Sequence, residues 1–145
     1  MTIEEIPVVN GLKWVRSRPQ QFFFGKDMPT PVDLLSWLMS DVVVLGRGEC
    51  VIRSSGSWWI IGSDVDWLTN PTCTITELFH RVVAEPRHGV NSMRGEILVG
   101  GFCSDISVIG PTGVARIAGD ELDDAALQKA AGLKHAIVFR LPPQP

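Results

Sequence analysis

Apolar residues fall along this chain in blocks whose spacing changes from one block to the next. The longest block follows Thr30, where Leu34, Leu35, Leu38, Met39, Val42 and Leu45 recur at helical spacing. Thr30 supplies a capping hydroxyl, Pro31 suits the first helical position, Asp33 stands where a capping-box acid belongs, and Gly46 is a natural stop. Trp37 and Asp41 lie at the edge of this stripe, on the side of Leu34, so the helix packs on something apolar. Glu49–Ser54 and Trp58–Ser63 are rich in β-branched and aromatic residues, which predicts two strands joined at Ser55-Gly56. Ile60 and Ile61 are neighbours, so both faces of the second strand meet apolar material.

Thr74-Ile75-Thr76-Glu77 has the T-x-x-E form of a capping box. Ile75, Leu78, Phe79, Val82 and Val83 then follow a helical template, predicting a second helix that runs to Pro86. Arg87–Gly95 is polar and reads as a loop. Glu96–Phe102 predicts a shorter helix in which Gly100 and Gly101 permit close packing. Ile106–Ile109 and Val114–Ala118 predict a second hairpin around Pro111-Thr112-Gly113. Asp120–Ala131 reads as a short helix or structured crossover, and Ala136–Leu141 as a last strand stopped by Pro142-Pro143. There is no internal repeat and no linker, so residues 1–145 read as a single domain. The order of elements predicts an α+β two-layer sandwich: a mostly antiparallel mixed sheet with helices on one face. Part of the other face would then be open to a partner.

Composition narrows the classes of function. Hydrophobic residues at 45% and charged ones at 20% exclude a disordered tail. Thirteen basic against sixteen acidic residues give −3, a field that favours neither nucleic acid nor an anionic membrane. The run Lys13, Arg16, Arg18 is too small to reverse that. No apolar run approaches the ~18 residues of a membrane span, and Met1-Thr2-Ile3-Glu4-Glu5 is no signal-peptide start. Cys50, Cys73 and Cys103 are odd in number, have no C-x-x-C spacing, and do not pair with His80, His88 or His135 as metal ligands would. Three reduced thiols and a cytoplasmic protein without metal or cofactor are expected. Neither a G-x-S-x-G elbow nor a Walker-type phosphate loop occurs.

Several strings, in their order, resemble the GHKL (Bergerat-fold) ATPases, above all the amino-terminal ATP-binding domain of gyrase B and topoisomerase IV B-type subunits. Gly11-Leu12-Lys13-Trp14-Val15-Arg16-Ser17-Arg18-Pro19 looks like the family's opening G-L-x-x-V-R-x-R-P, with Phe24-Gly25 near its aromatic-x-G ending. Val51–Asp64 resembles the hairpin that delivers an adenine-binding aspartate. Ser104–Ala118 is similar to the later hairpin, and His135–Pro142 to the final strand. The resemblance implies an ATP site with a water-activating glutamate, an asparagine holding Mg²⁺, an aspartate for adenine, and a glycine-rich lid for phosphate.

Carried over residue by residue, most of that site is missing. Aligned from Gly46, Leu34 falls at the glutamate and Leu38 at the asparagine. A slide of three residues would bring Asp41 to the metal position but Trp37 to that of the base. Asp64 is a plausible survivor of the adenine aspartate, although the following G-x-G is here Asp66-Trp67-Leu68. Gly89 and Gly95 remain from the lid, and His135 stands for a threonine of the last strand. The vestigial nucleotide positions are therefore Asp64, Asp41, Gly89 and Gly95. Plainer roles for them are a strand-end acid bonded to a turn, a helix-edge acid and loop glycines. Arg87, His88 and Arg94 are either phosphate ligands or a solvated loop. Trp58, Trp59 and Trp67 are candidates for a partner surface or for the core. The expectation is a catalytically inactive module that binds a protein, in an inhibitor, antitoxin or immunity-type role. The alternative is a nucleotide sensor that keeps adenine recognition through Asp64 without hydrolysis.

Overall fold

The computed structural model describes residues 10–88 and 92–143. Asn10 caps α1 (Gly11–Arg16), its side chain accepting from the Lys13 N–H, and Pro19 opens the one-turn α2 (Pro19–Phe22). Patterning predicts no element here, because helices this short display no period. α3 (Pro31–Leu45) carries the predicted capping box in full: the Asp33 N–H donates to Thr30 Oγ1, and the Thr30 N–H donates to the Asp33 carboxylate. β1 (Val51–Ser55) and β2 (Trp58–Ser63) form the first hairpin, with Ser55 opposite Trp58. Between them Gly56 has φ +59°, as the first central residue of a type II′ turn requires.

The second predicted helix is cut short. α4 (Ile75–Leu78) keeps its capping box but ends at Phe79, and Val82 is 47% exposed instead of lying on an apolar face. The chain straightens instead, and Ala84 bridges to Met93 across a small antiparallel ladder. Glu85 N–H donates to Ser92 O at 2.8 Å and Arg94 N–H to Val83 O at 2.8 Å. Adjacent β-branched Val82 and Val83 favour this extended path over a continued helix. α5 (Glu96–Phe102) packs so tightly on the end of α4 that a Cβ at Gly100 would lie 1.8 Å from the Phe79 carbonyl oxygen. β3 (Asp105–Gly110), β4 (Gly113–Ala118), α6 (Asp124–Lys129) and β5 (His135–Arg140) complete the chain.

The sheet runs β1-β2-β5-β3-β4, and every pairing is antiparallel, so the α+β class is as predicted and the sheet is not mixed. β5 is the central strand. Its run Ala136-Ile137-Val138-Phe139 is fully buried, as a strand covered on both faces must be. Side chains alternate between two cores. Ile61, Ile137 and Phe139 face α3 and α5, where Leu34, Leu38 and Ile97 meet them. Trp58, Ile60, Ala136 and Val138 face the other way, against Ala126 and Ala130 of the α6 region. Helices were predicted on one face only. α6 closes part of the second, because Ala126 and the half-buried Leu122 give the crossover an apolar underside.

Candidate functional site

Asp41 sits on the inner side of α3 with 1% of its surface exposed. Its Oδ2 accepts the Gly95 N–H at 2.9 Å, so two of the predicted positions do come together. The ladder before α5 carries the rest of the group. Arg94, also 1% exposed, donates from Nε to Glu96 Oε2 at 3.2 Å and from Nη2 to Glu96 Oε1 and to the Trp67 carbonyl. Its Nε lies 3.6 Å from Asp41 Oδ2 and its Nη1 3.9 Å from Glu85 Oε2. Glu85 is held in turn by Arg87, which donates at 2.7 and 3.1 Å. Four elements thus converge on one guanidinium: α3, the start of α5, the ladder, and the loop after β2.

Charge counting sets the protonation of this group. Three carboxylates face two guanidinium groups, and the inner members have no water to absorb the excess. Burial, and then the neighbouring Asp41, push the Glu96 carboxyl up to about 8, against the pull of Arg94. Burial likewise raises Asp41. The two acids are joined by a side-chain hydrogen bond in which Glu96 keeps the proton and donates. Arg94 stays charged: burial opposes this, and Glu96 and Asp41 outweigh it. Glu85 is lowered by its hydrogen bond from Arg87. Among the described residues no group of His, Cys, Asp or Glu is arranged to hold a metal ion. Here the place between the acids is taken by Arg94.

The other predicted residues lie elsewhere. Asp64 is exposed at the end of β2, on a cleft of about 460 Å³ with Glu49, Cys50, Arg53 and Leu133. Gly89 lies outside the described residues. Trp58 and Trp67 are each 2% exposed, which removes them as surface anchors. Trp58 belongs to the α6-side core, with the Arg140 guanidinium 4.4 Å above its ring, and Trp67 belongs to the core under α3. Trp59 is half-buried against that same core. Arg94 is no phosphate ligand on a solvated loop, since carboxylates enclose it.

A second cavity, of about 370 Å³, opens where β5 begins and the β3–β4 turn ends. Asp66, Asn70, Cys73 and His135 line it, with Gly110–Gly113 on the far wall. His135 Nδ1 lies 3.7 Å from Asp66 Oδ1. Asp66 is lowered although burial opposes this, because it accepts from Thr69 and from the Leu68 N–H. Burial pushes the thiols of Cys50 and Cys103 up, so neither is an activated nucleophile.

The sequence reading missed Glu96 and Glu85 as partners of Asp41. The available signal was local: Arg94 and Glu96 stand between Met93 and the apolar run Ile97-Leu98-Val99, where a lone charge would be costly. Among the described residues, no helix is long and apolar enough to cross a membrane. No family model, no curated protein and no solved structure matches the chain.

Proposed function

We propose that this chain is a catalytically inactive domain of GHKL type that acts in the cytoplasm as a protein-interaction module, in an inhibitor, antitoxin or immunity-type role. The observation that carries this reading is the pair Leu34 and Leu38, both fully buried. These are the positions to which the resemblance assigns the water-activating glutamate and the metal-holding asparagine. Neither side chain takes a proton or binds a cation, and loss of the base alone typically costs ~10²–10⁴ in rate. The Arg94 group adds support. In this reading Gly95 belongs to the phosphate lid, yet its N–H is given to Asp41, so an acid of the chain itself stands in for the nucleotide's anion.

The test is to measure ATP turnover with Mg²⁺ and to melt the protein with and without ATP or ADP. Ligand at ~100 times its dissociation constant adds about 2.7 kcal/mol, which raises the melting temperature of a domain this size by roughly 5–10 °C. The expected result is no turnover and no shift. The cleft of about 460 Å³ beside Asp64 favours a second reading, the nucleotide sensor. A shift without turnover, abolished by Asp64→Ala, would replace the first reading with that one. Sustained turnover would overturn both.

A further inference from the structure

α3 carries a second stripe, on the side turned away from the core. Val32, Ser36, Met39 and Val43 recur at i, i+4, i+7 and i+11, and all are exposed: Val32 to 65%, Met39 and Val43 to 43% each. A solvated helix face normally carries charge. This one has none, because both acids of α3 turn inward, Asp33 to Lys26 and Asp41 to Gly95. The hydroxyls on this side make no demand on a partner either. Ser36 Oγ donates to Val32 O at 2.8 Å and Ser40 Oγ to Ser36 O at 3.4 Å, so covering them strands no donor. Phe24 stands beside the stripe, 88% exposed and held at φ +54°, a conformation that residues with side chains rarely adopt. With Gln21, Phe22, Ser36, Trp37 and Ser40 it lines a cleft of about 360 Å³.

We propose that this face seats a second copy of the chain, α3 against α3 about a two-fold axis. A two-fold interface must be its own complement, and this stripe is. Placing the axis between residues 37 and 38 of antiparallel helices sets Val32 opposite Val43 of the second copy and Ser36 opposite Met39. Met39 then meets a serine, and the two valines meet each other. The opposed helix dipoles attract in that arrangement. The area also fits. Phe24, Val32, Met39 and Val43 leave roughly 400 Å² of apolar surface bare, as much as a typical monomer tolerates in one patch. Covered by a second copy, that area on each partner makes a small interface, of the weak and concentration-dependent class.

This inference is independent of the nucleotide question, since a dimer can form whether or not ATP is bound or split. Sedimentation of the full chain from about 1 to 100 µM tests it, the range in which micromolar association is read. The expected species has twice the 15.9 kDa of the chain. Met39→Glu, a change on an exposed position, should weaken association at least ~30-fold, as the loss of a central contact does, with an unchanged melting profile at low concentration. Val114→Glu, on an equally bare valine of edge strand β4, should leave the dimer intact. A wild-type chain that stays monomeric throughout overturns the proposal. So does a dimer indifferent to Met39→Glu, or one lost with Val114→Glu, which would mean pairing through the sheet edge.

Discussion

Two groups of acids around arginine occupy this molecule, and they behave in opposite ways. In one, Arg94 is enclosed by Glu96, Asp41 and Glu85 beneath α3. In the other, Arg140 at the end of β5 holds Asp105 at 2.8 Å and Asp120 at 3.2 Å, and its guanidinium covers Trp58. Glu96 is pushed up to about 8, first by burial and then by Asp41. Asp105 is held below the usual carboxylate range: burial opposes this, and hydrogen bonds from Arg140, the Asp120 N–H and Ser104 overcome it. The residue types are the same. What differs is access to water and the balance of charge, because the inner group buries more acid than base while Asp120 reaches solvent. A salt bridge therefore contributes through what surrounds it, and counting pairs would miss the distinction.

The largest effect should come from removing the inner cation. Arg94→Met leaves three acids around an apolar side chain and should cost about 3–5 kcal/mol in a urea titration, a large share of the stability of an ordinary domain. Next comes pH. Glu96 ordinarily titrates at 4.5 and here near 8, so between those values the folded chain keeps a proton that the unfolded chain has released. That stabilisation is complete below the lower value and is lost as pH rises through the upper one. The melting temperature should accordingly decline from pH 5 to pH 9, and Glu96→Gln should flatten the decline. Asp105 works the other way: its contribution is present above its unfolded value and lost as pH falls through the depressed folded one. Arg140→Gln should cost about 1–2 kcal/mol by the same titration, because Asp105 keeps its other donors. The smallest change belongs to Arg81→Ala, which breaks an exposed pair with Glu77 and should leave the melting temperature unaltered.

The sequence disclosed those parts of the fold whose signals are local. The caps at Thr30 and Thr74, the stripe of α3, the strand β2 and the close-packing glycines of α5 all follow from residues within a turn or two of one another. Where the outcome depended on distant chain, the reading stopped short. Ile75 to Val83 satisfies a helical template, but Met93 and Arg94 arrive to pair with Val83–Glu85, and the ladder prevails over the period. α6 was visible as a short helix, yet its side of the sheet was not. Alternate residues of β2 and β5 are apolar on both faces and favour neither. Asp41 could be seen at a helix edge. Its burial could not, since that depends on Glu96, fifty-five residues further along.

The position of β5 has a consequence for how the chain is made. The strand that sits between β2 and β3 follows every other strand in sequence, so until residues 135–140 have left the ribosome the two hairpins have no strand to join them. Each hairpin can close early on neighbouring contacts, whereas the sheet waits for β2 to pair with the distant β5, the kind of contact that slows folding most. During synthesis the nascent chain therefore shows two incomplete edges, one on β2 and one on β3, and both stay open until β5 has been made.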